Sequence, residues 1–333
     1  MKAFFLDRYA KKGALHLGDA PEPEVGDTDV LIAIHAAALN VLDAKIRDGE
    51  FKLILPQRFP LVLGHDVAGV VLRVGAKVRA FKPGDEVFAR PRDGRIGAFA
   101  ERIAIDEADV ALKPTTVSME EAASLPLVGL TAWQVLVERA QLTAGQKVLI
   151  HAGAGGVGTV AIQLAKQLGA TVATTTSTRN VDLVKHLGAD VVVDYTKEDF
   201  SEVLSGYDVV LNSLDATTLE KSLKVLKPGG KLLSISGPPD PAFAKSIGLN
   251  GFLQLVMRLL SFGIRRKARQ RGVDYAFHFM RADGAQLAKL ASLVDIGALR
   301  PVIDRTFPFL GMNQAMDYLE TGRAKGKVVV AVR

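Results

Sequence analysis

The sequence predicts an α/β protein of two domains, one a doubly wound parallel sheet and the other strand-rich and barrel-like. Three observations carry this reading. Apolar strands alternate with helical segments from Leu142 onward, the first 110 residues form short apolar or alternating runs broken by Gly, Pro and Asp, and glycines 153, 155 and 158 stand between a strand and a helix. At 333 residues with 48% hydrophobic content the chain can build two cores of ordinary size.

Taken in order, residues 29–34, 67–74 and 86–89 read as strands of the first domain, on β-branched and alternating apolar positions. Residues 147–150 then form an apolar strand, followed by the glycines and a helix over 159–168 with apolar residues at Val160, Ile162, Leu164, Ala165 and Leu168. Strands at 171–175, 191–194, 209–212 and 231–235 continue the rhythm, separated by helices such as 181–187 and 219–226. Lys227-Pro228-Gly229-Gly230 reads as the turn that closes the second of these helices, and a sixth strand over 274–279 as the sheet edge. The tail, with strands at 301–307 and 327–332 and a helix at 312–320, behaves as a continuation of the first domain. The expected organisation is a domain of residues 1–120 completed by 284–333, interrupted by a second domain of residues 121–283.

The run His-Ala-Gly-Ala-Gly-Gly-Val-Gly at 151–158 is the most informative local signal. Between a strand and a helix, the three glycines serve a tight turn, close backbone approach to a pyrophosphate and close helix–strand packing, with the phosphate at the helix N-terminus. This predicts dinucleotide binding. In an NAD site a carboxylate about 20 residues on takes the ribose hydroxyls, but residues 171–178 contain none before Asp182, and the strand ends in hydroxyls and Arg179. A guanidinium there can pair with a 2′-phosphate, which favours NADPH over NADH.

Composition excludes other classes. The chain has no cysteine, which removes disulfides, thiolate nucleophiles and Cys-ligated zinc. The N-terminal residues carry charge at once and form no secretory signal, so a cytoplasmic enzyme is expected. The net charge of +6 is concentrated in Arg265, Arg266, Lys267, Arg269 and Arg271, so it does not point to nucleic acid. Just before this cluster, residues 246–264 are strongly apolar with Asn250, Gln254 and Arg258 at four-residue spacing, the stripe of an amphipathic helix. Arg258 at the middle of a membrane span would cost about 3 kcal/mol. The preferred reading of 246–271 is a helix over an active-site cleft or a subunit contact, ending in a solvated basic loop. The alternative is weak peripheral contact with an anionic membrane surface.

Ordered matches along the whole chain, among them Ala38-Leu39-Asn40-Val41-Leu42-Asp43-Ala44-Lys45, Leu63-Gly64-His65-Asp66-Val67-Ala68-Gly69-Val70, Lys82-Pro83-Gly84-Asp85-Glu86-Val87, Leu187-Gly188-Ala189-Asp190 and the closing Gly326-Lys327-Val328, resemble the medium-chain dehydrogenase/reductase superfamily. Within it the chain is most similar to the zinc-free quinone oxidoreductase branch and its enone oxidoreductases. The resemblance implies a Rossmann-type doubly wound parallel sheet plus a GroES-like barrel domain, a homodimer, and NADPH-dependent hydride transfer to quinones or enones. Where zinc relatives carry a Cys this chain has Asn40-Val41, and of the metal-binding side chains only His65 remains, beside Asp66; three protein ligands are needed for catalytic zinc. No metal is therefore expected. The resemblance assigns Lys45, at the place of a Tyr in other members, to the developing oxyanion or the coenzyme, and Asn40 to the pocket beside the nicotinamide. It assigns Gly155, Gly156, Val157 and Gly158 to the pyrophosphate, and Thr176, Ser177, Arg179 and Tyr195 to the 2′-phosphate region, with Lys185 as an alternative cation. Val128, Thr131, Ser236 and Gly237 complete the coenzyme site. A catalytically weak NADPH-binding or membrane-surface protein, and less favourably an alcohol dehydrogenase, are the competing readings.

Overall fold

The computed structural model describes residues 1–333 and divides them into two units, Met1–Leu130 with Arg281–Arg333, and Thr131–Met280. The expected divisions at 120/121 and 283/284 thus compare with observed ones at 130/131 and 280/281. Residues just beyond 120 stay with the first unit because its polar core holds them: the Leu127 amide donates to the buried Asp66 Oδ1 at 2.7 Å.

The first unit begins with β1 (Lys2–Leu6), β2 (His16–Asp19) and β3 (Asp29–Leu39), followed by α1 (Val41–Arg47), β4 (Leu61–Val62), β5 (Asp66–Val74), β6 (Glu86–Ala89), β7 (Arg102–Asp106) and β8 (Val110–Leu112). Helices α2 (Met119–Ala123) and α3 (Pro126–Trp133) lead out of it. Strand β3 is its spine. It pairs with both β5 and β7, and it runs five residues past the expected end at 34, through Ala36, Ala37 and Ala38 to Leu39. Alanine is a weak strand former, but pairing and burial override propensity here. All three alanines are fully buried, and a strand from the far end of the chain lies against them.

The second unit is a six-stranded parallel sheet. It is made from β9 (Lys147–Ile150), α4 (Gly156–Gln167), β10 (Thr171–Thr176), α5 (Val181–His186), β11 (Val191–Asp194), α6 (Phe200–Val203), β12 (Tyr207–Asn212), α7 (Ala216–Val225) and β13 (Leu226–Ser234). It ends with α8 (Pro241–Ser246), α9 (Gly251–Leu260), α10 (Phe262–Gln270) and β14 (Asp274–Phe277). The strand order β11-β10-β9-β12-β13-β14 changes direction between β9 and β12, which puts a ligand crevice at the carboxyl ends of those two strands.

The chain then returns to the first unit through α11 (Gly284–Asp295), β15 (Ile303–Pro308), α12 (Met312–Glu320) and β16 (Lys327–Ala331), with β16 inserted between β15 and β3.

Two local expectations are corrected. The segment Lys227–Gly230 lies inside β13 and not ahead of it, as a bulge without partners in β12 between the Tyr207–Leu226 and Val209–Lys231 pairs, with Gly229 at a φ of +81° and its amide on the Gly272 carbonyl at 2.7 Å. The apolar stretch 246–264 is not one helix ending in a basic loop. Gly248 takes a left-handed φ of +69°, the Asn250 side chain caps α9 by accepting from the Leu253 amide at 3.0 Å, and the cations lie on the helix α10 and at its C-terminal end.

His151 closes β9 and is fully inside the second unit. Its Nδ1 lies 3.1 Å from Thr175 Oγ1, its Nε2 lies 2.9 Å from Ser222 Oγ, and its ring meets Phe200 edge-on at 4.6 Å. Burial pushes its pKa down from 6.5 to about 4. The unfolded chain binds a proton here below pH 6.5 that the native state refuses until about pH 4. Stability should therefore fall by about 3 kcal/mol as pH drops through that window and be unaffected by this residue above it. Urea unfolding between pH 4 and 7 checks this. His151→Gln, which keeps hydrogen-bonding capacity without titrating, should flatten that limb.

Candidate functional site

The coenzyme-type features lie on the second unit. Strand β9 delivers the chain to Ala152, which is itself forced to a positive φ of 52°. The following glycines are then required by contact. A Cβ on Gly153 would lie 2.1 Å from Thr174 Oγ1, and one on Gly158 would lie 2.3 Å from the Ala152 carbonyl and 2.7 Å from Gly153 Cα. Gly155 differs: its Cβ would meet only the Ala152 carbonyl, at 3.3 Å. The turn is thus closed on its protein side and open at Gly155. Helix α4 makes its first i→i−4 bond from Thr159 N to Gly155 O at 2.9 Å, so the amides of Gly156, Val157 and Gly158 precede the ladder and are available to an anion. These residues fit a dinucleotide pyrophosphate.

The end of β10 places Thr176 in the interior, Ser177 half-buried, and Arg179 exposed on a short turn. Tyr195 is 63% exposed, with its amide on the Thr176 carbonyl at 3.1 Å, so it is not the half-buried strand-end aromatic that packing alone would produce. Asp194 lies across from Thr176 in the β10–β11 pairing. Its Oδ2 accepts from Thr178 Oγ1 at 2.6 Å and faces Lys197 Nζ at 3.2 Å, while Oδ1 accepts from the Thr196 hydroxyl at 2.7 Å and amide at 3.1 Å. The Thr178 and Thr196 donors hold this carboxyl well below the usual carboxylate range. Sequence reading saw the Asp194-Tyr195 pair without this network. Farther along the sheet, Ser236 is exposed and donates to the Leu214 carbonyl at 2.6 Å, and Gly237 packs where a Cβ would lie 2.8 Å from both Ser234 Oγ and Tyr275 Oη.

The first unit contributes a buried polar cluster. Lys327 opens β16 and donates to the Leu39 carbonyl at 2.9 Å, to Asp66 Oδ2 at 3.0 Å and to Asn40 Oδ1. Asn40 Nδ2 in turn donates to Asp66 Oδ2 at 2.9 Å. Asp43, wholly buried on α1, accepts the Asn40 amide at 2.8 Å through one oxygen and meets His65 Nδ1 at 2.6 Å through the other. His65 is therefore an internally paired histidine, and nowhere do three His, Asp or Glu side chains gather as a metal site would need. Lys327 was legible only as part of the closing motif. Its role had one available signal, a lysine opening an apolar strand, since a cation in that position must find a buried partner.

Lys45 behaves differently from its neighbours. Its side chain is 39% exposed on α1, with one distant partner, Glu50, at 3.7 Å; Asp48, three residues on, is engaged by Arg47, and Asp43, two residues back and off the Lys45 face, is engaged by His65. Val41 shares its exposed face. Val128 and Thr131 are both buried on α3.

Comparison with known proteins agrees with these features. Residues 26–115 match the family described as alcohol dehydrogenase GroES-like domain, and residues 187–330 match that described as zinc-binding dehydrogenase. The chain is 39% identical to a 2-methylene-furan-3-one reductase of Solanum lycopersicum and 38% identical to an NADPH-dependent alkenal/one oxidoreductase of Arabidopsis thaliana. Each alignment covers 99% of this chain and 79% of the relative. A solved quinone oxidoreductase from Coxiella burnetii is 33% identical with a TM-score of 0.85, covering 100% of this chain and 99% of the other.

Removing one member of the buried cluster should be costly. Lys327→Met leaves Asp66 as an uncompensated internal charge, so it should lower unfolding free energy by about 3–5 kcal/mol. Adding Asp66→Asn should recover much of that loss in chemical denaturation, since no net charge then remains at the Asp66–Lys327 contact. Gly158→Ala should weaken coenzyme binding and stability together, whereas Gly155→Ala should act mainly on coenzyme binding.

Proposed function

Because the chain belongs to the medium-chain dehydrogenase/reductase superfamily, in its zinc-free quinone and enone oxidoreductase branch, we propose that it uses NADPH to reduce quinones or α,β-unsaturated carbonyls without a metal. The observation that carries this is the combination of an open glycine cradle on a doubly wound sheet with a first-unit cluster whose Asn40, His65 and Asp66 are bound to one another through Asp43 and Lys327.

When bound, NADPH supplies the hydride. The residues that would hold it are Gly155, Gly156, Val157 and Gly158 at the pyrophosphate, Ser177, Arg179 and Tyr195 with the Thr176 backbone at the adenosine phosphate, and Val128, Thr131, Ser236 and Gly237 along the remainder. The preference for NADPH rests on two supports. The loop after β10 offers the Arg179 guanidinium, and Asp194, the carboxylate facing Thr176, already has both oxygens engaged by Thr178, Thr196 and Lys197 and so offers little to a ribose diol.

Reduction of a conjugated acceptor leaves negative charge on the carbonyl oxygen. We assign to Lys45, whose ammonium has a single loose partner, the hydrogen bond donated to that oxygen. Asn40 positions the start of the same helix, α1, with its amide on Asp43 and its side chain held by Lys327 and Asp66. We further read the outer strand β14 as a homodimer edge, since an unpaired parallel strand there would otherwise be an open template.

NADPH should bind at least tenfold tighter than NADH, about 1.4 kcal/mol, as titrated by fluorescence; equal affinities would contradict the assignment. Arg179→Ala should weaken NADPH and leave NADH nearly unchanged. Lys45→Ala and Lys45→Met should each lower kcat toward enones by roughly a hundredfold with little change in NADPH affinity. A variant with wild-type turnover would remove Lys45 from the chemistry.

A further inference from the structure

Helix α9 and the start of α10 expose an apolar face that the second unit does not cover. Phe252, Leu255, Leu259 and Phe262 are 73%, 52%, 66% and 57% exposed and follow one another at three- and four-residue steps, while Met257 and Ser261 form the narrow buried side. On α9 the stripe from Phe252 to Leu259 is about 10 Å long, with Phe262 following at the start of α10, and no helix of the protein is long and apolar enough to cross a membrane. It continues into charge. On α10 Arg266 and Arg269 lie four and seven residues after Phe262, on the same helical face, and both are exposed. Between Asp240 and Asp274 the chain carries seven Lys and Arg and not one Asp or Glu, and of these cations Lys267 is the one with a carboxylate partner, Glu220.

We propose that the α9–α10 face docks reversibly on the surface of an anionic lipid bilayer, with the stripe at the level of the acyl boundary and the arginines among the headgroups. Apolar and cationic side chains sharing one face of a helix is the arrangement that interfacial binding requires, and bulky aromatic residues at both ends of the stripe fit that depth. A second copy of the chain is a poorer occupant. A twofold contact centred here would set a segment with seven cations and no carboxylate against itself. The proposal concerns where the enzyme sits, and it does not depend on which carbonyl compound it reduces.

Cosedimentation of the full-length protein with vesicles tests it without any substrate. Wild type should pellet with vesicles of phosphatidylcholine and phosphatidylglycerol at about 0.1 M salt, much less at about 0.5 M, and hardly at all with phosphatidylcholine alone. Arg266→Gln with Arg269→Gln should weaken binding roughly 30-fold, since each surface cation contributes a factor of about five. Leu255→Ser with Leu259→Ser should abolish it while leaving thermal stability and NADPH binding unchanged. Failure of wild type to pellet with the anionic vesicles overturns the proposal. So does a Leu255→Ser/Leu259→Ser protein that still pellets but sediments as a smaller species, because the face is then a contact between copies.

Discussion

The buried contact between Lys327 and Asp66 is the constraint around which the first unit is arranged. It joins the last strand of the chain to the start of β5, and through Asn40 it fixes the junction of β3 and α1. An ion pair taken out of water is tolerable only when the remaining donors and acceptors are also met. Here they are met by the Leu39 carbonyl and the Leu127 amide. The parts of the chain supplying these groups, near positions 40, 66, 127 and 327, must therefore arrive together or not at all. This explains how a domain split by 150 residues of another fold closes as one unit.

The second unit obeys a constraint of space. Strand β10 and helix α4 approach the turn after β9 so closely that Gly153 and Gly158 leave no room for a methyl group. The same closeness leaves the first amides of α4 without backbone partners. Packing and anion binding are thus two results of one geometry: the turn that lets helix lie on sheet also turns unpaired donors outward. Burial of His151 at the root of this turn, neutral and bonded to Thr175 and Ser222, adds a polar contact between β9, β10 and α7.

Charge is distributed by function in the two units. Internal charges are matched within short distances, as in Asp43 with His65, Arg47 with Glu320 and Asp194 with its hydroxyl donors. The cations that stay loosely paired or unpaired, Lys45 on α1 and Arg266 and Arg269 on α10, lie on solvated helix faces. A solvated cation costs little to keep, so an exposed position asks nothing of the fold, whereas each internal charge needs its own partner.

Much of this was legible in the sequence. Periodicity located β9, β11, β6 and α12 to the residue, because each is a short apolar run or helical stripe bounded by polar or turn-forming residues. Contacts between neighbours in sequence also determined the glycine turn, since a strand, three glycines and a helix can pack in few ways. The rest lay in pairings across the chain. Nothing local extends β3 through its alanines or starts β13 at Leu226, and these follow from β16 and Gly272, at distances of hundreds and tens of residues. The roles of Lys327, Asp43 and Asp194 were hidden for the same reason: an ionisable residue reads as surface until its partner is known. Composition and period thus determined the fold class, the coenzyme turn and the missing metal ligands. Only the tertiary structure decided which charges are buried, because burial of a charge depends on a counter-charge that the sequence places far away.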